Sequence, residues 1–174
     1  MDLLTLAALC GHLVDPAMTL RVIEVESRGH AYAVHDNTTG EHYYPATLQA
    51  ARLLATHLIK SGHSLDLGLM QINYGAWLRP TAYPIERALD PCTNITLGTT
   101  ILSADYTQAL RRSATTEDAL LRSLSLYNSG SEWRSLSYAH VVLNGHVPTA
   151  VPPPRRSGSS ERALRAPVTF SGLR

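Results

Sequence analysis

A chain of 174 residues, 44% hydrophobic and 17% charged, is long enough for one domain with a real core and is neither disordered nor membrane-like in composition. No apolar run approaches the roughly 20 residues that span a bilayer. The formal net charge of +1 hides an asymmetry: residues 148–174 hold five Arg and one Glu, which leaves residues 1–147 at −3, a mildly acidic body that argues against nucleic acid as its ligand.

Leu3 to Cys10 is apolar, but it follows Asp2 rather than a basic segment and lacks an Ala-x-Ala cleavage site, so it is a poor signal peptide. It reads as a first short helix with Leu3, Ala7 and Cys10 on one face, and the export route is not evident in the sequence. Asp15 before Pro16 marks a helix start, an acidic cap followed by proline at the first helical position. That helix runs to about Ser27 and ends before Gly29. Residues 30–46 carry Asn37, Gly40 and Pro45 among several aromatics and read as a loop or short hairpin. Thr47 to Lys60 is a helix, with Leu48, Ala51, Leu54, Ala55 and Leu58 at helical spacing and Gly62 as its stop. Residues 68–79 predict a turn and a short helix ended by Pro80.

Asn94 to Arg112 predicts a longer helix carrying Leu97, Ile101, Leu102, Ala109 and Leu110. Thr115 with Asp118 resembles a capping box that opens a helix through Tyr127, and Gly130 closes it. A last helix is expected between Glu132 and Leu143. From Pro148 the composition shifts to Pro152-Pro153-Pro154, Arg155-Arg156, Gly and Ser, with few apolar residues to offset chain ordering. The expected organisation is one mainly α domain over residues 1–147, with a small β element near 35–45 or 62–67, and a disordered Pro/Arg/Ser-rich tail over 148–174.

Chemistry concentrates in three places. Val22 and Ile23 lie on the same side of their helix as Glu26, so this carboxyl borders an apolar stripe near a helix C-terminus. Desolvation and the negative end of the helix dipole both favour its protonated form, as a general acid requires. Glu24 sits about 200° round the helix, on the opposite face. Gly68-Leu69-Met70-Gln71-Ile72-Asn73 is a glycine-led polar turn: glycine allows close approach of a ligand, and Gln71 offers it a donor and an acceptor. Asn73 is expected to hold the turn itself. Tyr127, three residues after Leu124 and seven after Leu120, points inward from its helix, with Asn128 beside it.

Other residue types invite simpler readings. Asp36, Glu41 and Asp66 are the candidates for a second carboxylate, and each is expected to be structural or solvated. Tyr74, Trp77 and Tyr83 are either saccharide-stacking rings or core, with core preferred for Trp77. His30, His35 and His42 share one loop, but no Cys or carboxylate set of metal spacing accompanies them, so they read as solvated and no metal is expected. Cys10 and Cys92 are an even pair, compatible with two buried thiols or with one bridge.

Glu26-Ser27, the 68–73 block and Tyr127-Asn128-Ser129-Gly130, in this order, resemble the soluble lytic transglycosylase family. Asp90-Pro91-Cys92-Thr93-Asn94-Ile95 and the early Cys10 also resemble the small transglycosylases of type IV secretion and conjugation machines. The resemblance covers residues 3 to about 135. It implies a lysozyme-like α+β fold and a peptidoglycan substrate cut at the MurNAc-β-1,4-GlcNAc bond to leave a 1,6-anhydro-MurNAc end. It further implies Glu26 as the single catalytic acid, with Ser27, Met70, Gln71, Tyr127 and Asn128 at the cleft and the Tyr127 hydroxyl on Glu26. A Cys10–Cys92 disulfide, no cofactor, a periplasmic location and partners among machine subunits follow in the same way. Leu126 and Ser129 depart from the alanines common in the family's third block. Rival expectations are a hydrolysing muramidase of the same fold and a catalytically silent glycan-binding assembly module.

Overall fold

The computed structural model describes residues 1–144, so the expected tail and its boundary at 147 lie outside the described residues. Helix α1, Leu3–Cys10, begins at Asp2, whose carboxylate accepts the Thr5 amide at 2.9 Å. Helix α2, Pro16–Ser27, begins at Asp15, which accepts the Ala17 and Met18 amides, with Pro16 in the first turn as expected. It stops because Arg28 takes a left-handed conformation (φ 54°) and Gly29 continues it (φ 77°).

Strands β1 (Val34–Asp36) and β2 (Glu41–Tyr43) form the hairpin, and α3 (Leu48–Lys60) follows behind its Thr47 cap. Strands β3 (Leu65–Leu67) and β4 (Ile72–Asn73) complete a four-stranded antiparallel sheet in the order β2-β1-β3-β4. Both stretches in which a β element was expected are therefore strands of one sheet. Its register sorts the side chains. Val34 opposite Leu67 and Leu67 opposite Ile72 give an apolar row toward the core. His42 opposite His35, His35 opposite Asp66 and Asp66 opposite Asn73 give a polar row on the other face.

After β4 the chain makes a wide helical turn over Tyr74–Leu78 and a tighter one over Arg79–Thr81, then the one-turn helix α4, Ile85–Ala88, which the sequence pattern does not announce. Helix α5 runs Pro91–Leu110, starting three residues before the expected Asn94, because Asp90 caps it through the Thr93 amide and Pro91 fills its first position. Helix α6, Thr116–Ser129, is capped by the Thr115 hydroxyl and closed by left-handed Gly130. Helix α7, Leu136–Asn144, starts later than the expected Glu132. The reason lies in residues 131–135, which are held by serines instead: Ser125 donates to the Ser131 carbonyl at 2.7 Å and accepts the Ser135 amide at 2.9 Å.

Helices α5, α6 and α7, with α2, enclose a core of Val22, Ile23, Ile95, Leu97, Ile101 and Leu124 among others. Cys10 and Cys92 form a disulfide that ties α1 to the first turn of α5 across a sequence separation of 82. The architecture is mainly helical with a small sheet, as expected, and among the described residues no helix is long and apolar enough to cross a membrane.

Candidate active site

Glu26 occupies the penultimate position of α2. Val22 and Ile23, one turn back on the same side, are fully buried, and Glu26 itself is only 8% exposed. A carboxyl in such a place needs a hydrogen-bond partner. It finds one 112 residues along the chain: the Tyr138 hydroxyl, on α7, donates to Glu26 Oε1 at 2.8 Å. The approach of α7 to α2 is fixed further along by Arg21, which donates to the Leu143 carbonyl at 2.7 Å. Glu24, as expected, faces solvent.

Hydrogen bonds link the three blocks. Ser27 donates its hydroxyl to the Ile23 carbonyl at 3.1 Å, and its own carbonyl accepts the His30 amide. The His30 carbonyl accepts the Ala33 amide, and the Ala33 carbonyl accepts both the Gly68 amide at 2.8 Å and Gln71 Nε2 at 3.3 Å. Gln71 Nε2 also donates to the Gly68 carbonyl at 2.8 Å. The turn is sharp: Gly68 has φ 77° and Gln71, not a glycine, has φ 48°. A non-glycine residue held there costs on the order of 1–3 kcal/mol and persists only where its surroundings over-determine it. From the third block, the Tyr127 hydroxyl donates to the Met70 carbonyl at 2.6 Å.

The Tyr127 hydroxyl thus has the Met70 carbonyl as an acceptor, and Glu26 receives a hydroxyl proton from Tyr138, which the sequence reading missed. Its signal was present but faint, a tyrosine on the apolar side of the last helix together with Ala139 and Val142. Met70 is also placed deeper than expected. It is 0% exposed, so the apolar wall expected of its side chain lies inside the core, over Gly98 of α5. Asn128 is 2% exposed, and its Oδ1 has no hydrogen-bond partner among the described residues. Such a buried acceptor is a place where a ligand's donor fits.

Asn73 holds its turn, accepting the Ala76 amide and donating to Asp66 Oδ1, both at 2.8 Å. Trp77 is buried, in keeping with its core reading, while Tyr74 and Tyr83 are half-buried. Asp66 also accepts from Asn37 Nδ2 at 3.0 Å. Asp36 is fully buried, with His63 at 2.6 Å, the Thr39 hydroxyl at 3.0 Å and the Thr38 amide at 2.9 Å. Burial pushes the Asp36 carboxyl up, but the bonds from His63, Thr38 and Thr39 outweigh it and hold the group below the ordinary carboxylate range. Glu41 accepts the Tyr43 hydroxyl at the exposed end of β2. The solvated reading of His35 does not hold: the ring is buried, stacked on His42 at 4.1 Å, with Asp66 at 3.8 Å from its Nδ1. Burial, then the neighbouring His35 and Arg28, hold His42 below the usual imidazole value.

The relatives include a protein virB1 of Agrobacterium fabrum, 34% identical over 139 residues, covering 79% of this chain and 53% of that protein. Another is a type IV secretion system protein virB1 of Brucella abortus, 30% identical over 179 aligned positions, covering 95% of this chain and 74% of the relative. A virB1 of Rhizobium radiobacter is 29% identical over 166, covering 92% and 67%. The chain thus spans only about half the length of the Agrobacterium fabrum relative. No solved structure matches it. The transglycosylase SLT domain matches over residues 4–135, a span that holds Glu26, the Gly68–Asn73 turn and Tyr127-Asn128, and the chain belongs to that family.

Proposed function

We propose that the protein is a peptidoglycan lytic transglycosylase, working in the periplasm to open the wall locally for a type IV secretion or conjugation apparatus. The family and the type IV secretion relatives support the substrate class and the setting. The observation that carries the chemistry is Glu26, a nearly buried carboxyl that accepts the Tyr138 hydroxyl.

Glu26 donates its proton to the glycosidic oxygen as the bond from MurNAc C1 to the GlcNAc O4 breaks. The resulting carboxylate then removes the proton of the MurNAc C6 hydroxyl as that oxygen closes on C1, and Glu26 is protonated again with no water consumed. The tethered hydroxyl is favoured because little further translational freedom is lost in its attack. An inverting or retaining hydrolase would use a second carboxylate to hold water or attack the sugar. Asp36 and Asp66 are engaged by two or more side-chain or backbone donors each, and Glu41 lies at the exposed end of β2 with Tyr43.

Tyr138 orients Glu26. Gln71 and the Asn128 Oδ1 acceptor are the groups to receive acetamido and hydroxyl donors of the glycan. Digestion of purified sacculi tests the reading. Muropeptides should end in 1,6-anhydro-MurNAc, lighter by one water than a hydrolysis product and resistant to borohydride. Mainly reducible ends would make the enzyme a muramidase and return Asp36, Glu41 or Asp66 to the role of base.

A further inference from the structure

The Met70–Gln71 turn is fastened from the side opposite Tyr127 by a residue of α5. Asn94 is 0% exposed and stands in the first turns of that helix. Its Oδ1 accepts the Met70 amide at 2.7 Å, while Nδ2 donates to the Leu67 carbonyl at 2.9 Å and to the Ala88 carbonyl at 2.8 Å. An asparagine side chain has one oxygen acceptor and two N–H donors, and here the oxygen and both N–H groups are used. The amide cannot be turned over without facing its NH₂ to an N–H and its oxygen to two carbonyls.

Three segments meet on this side chain: the end of β3 at Leu67, the turn at Met70 and the end of α4 at Ala88. The fit is close. A Cβ on Gly68 would lie 2.3 Å from Asn94 Nδ2, so the glycine is needed for contact with Asn94 as well as for its φ of 77°. One helical turn further along α5, a Cβ on Gly98 would lie 2.4 Å from the Met70 sulfur. Helix α5 therefore seats both the main chain and the side chain of Met70.

We infer that Asn94 is a positioning residue of the active site, holding Met70 by its N–H while Tyr127 holds it by its carbonyl. Gln71, the next residue, sits at φ 48° and keeps that conformation because the residue before it is held at both its N–H and its carbonyl. Without Asn94 the turn relaxes and Gln71 swings out of register with Glu26. The first turn of α5 is set independently, by the Asp90 cap on Thr93 and by the Cys10–Cys92 disulfide two residues before Asn94. The turn is thus referred to a fixed point outside the cleft. The inference rests on the transglycosylase reading of the site.

Two variants test it: Asn94→Ser, which removes the amide, and Asn94→Asp, which keeps its volume and the acceptor for Met70 but turns both donors into acceptors. Each is measured for muropeptide release from sacculi and for hydrogen exchange at the Met70 amide, with circular dichroism and the intact disulfide as folding checks. Loss of catalytic register predicts kcat down roughly 10- to 100-fold with KM within about threefold, because small misplacements cost this much in rate. Met70 amide exchange should accelerate in Asn94→Ser. In Asn94→Asp, kcat relative to wild type should recover as pH falls, since the protonated acid regains one donor. That variant keeps the test open if Asn94→Ser fails to fold. A folded variant with a freely exchanging Met70 amide and unchanged kcat would overturn the positioning role alone. So would a loss expressed only in KM. A wild-type protein that releases no muropeptides while its Met70 amide is protected would overturn the proposed function, and the positioning role with it.

Discussion

Replacing Glu26 by Gln tests the centre of the mechanism, because the structure separates its effect on chemistry from its effect on stability. The amide has nearly the volume of the acid. Its oxygen can still accept the Tyr138 hydroxyl now found at 2.8 Å, and the apolar neighbours Val22 and Ile23 are untouched. The bonds from the Tyr138 hydroxyl to a protonated carboxyl and to an amide oxygen are both neutral ones of about 0.5–1.5 kcal/mol, so the change in that bond is at most about 1 kcal/mol. An amide cannot pass a proton to the glycosidic oxygen or take one from the C6 hydroxyl. Loss of a general acid costs roughly 10²- to 10⁴-fold in kcat, equivalent to about 2.7–5.4 kcal/mol of barrier. The expected outcome is a variant that melts within a few degrees of wild type and releases almost no muropeptides. Glu24→Gln, exposed on the opposite face of the same helix, should match wild type in both measurements. Equal losses in the two variants, or an active Glu26→Gln protein, would refute the assignment.

The two tyrosines should separate by phenotype. Tyr138→Phe removes the donor to Glu26 and is expected to lower kcat about tenfold, in keeping with the loss of one orienting hydrogen bond of up to about 1.5 kcal/mol. Tyr127→Phe leaves the Met70 carbonyl without its hydroxyl donor and should destabilise by about 1–3 kcal/mol, read by thermal melting. Reducing Cys10–Cys92 reopens a loop with a sequence separation of 82, which the chain-entropy model puts on the order of 4 kcal/mol; mass spectrometry confirms the bond and a chemical melt with and without reductant measures it. Stability should fall with acid in two steps. The folded protein binds a proton at His42 less readily than the unfolded chain, so the first loss begins as pH drops through about 6.5 and is absent in His42→Asn. Asp36, held low by its donors, contributes stability above about pH 4 that is lost below it. A melting temperature that rises between pH 7 and 5.5 contradicts this sign.

Local chemistry determined much of this protein from the sequence by itself. Asp15-Pro16, Thr47, Thr115 and Gly130 fix helix ends through bonds to residues within four positions, and the helices begin or stop beside them. The same rule, applied to Asp90-Pro91, places the start of α5 that apolar periodicity alone set too late. Glu26 was legible because its neighbours at three and four residues back decide its surroundings. Apart from the Cys10–Cys92 bridge, which the family resemblance implied, contacts over long separations were not legible. That a tyrosine at 138 reaches Glu26 depends on how α7 crosses α2, and no spacing within either helix encodes that crossing. His35 lies in a stretch that reads as solvated loop, yet pairing of β1 with β2 and β3 buries it between His42 and Asp66. Asn94 reads as the start of the long helix and as part of the Asp90–Ile95 block, and only when β3, the Met70 turn and α4 converge on it are its three hydrogen bonds assembled. The sequence determined most helix ends and the buried setting of Glu26 because those depend on near neighbours. The tertiary structure decided which polar groups meet, because each such meeting joins segments brought together only when the apolar faces are buried.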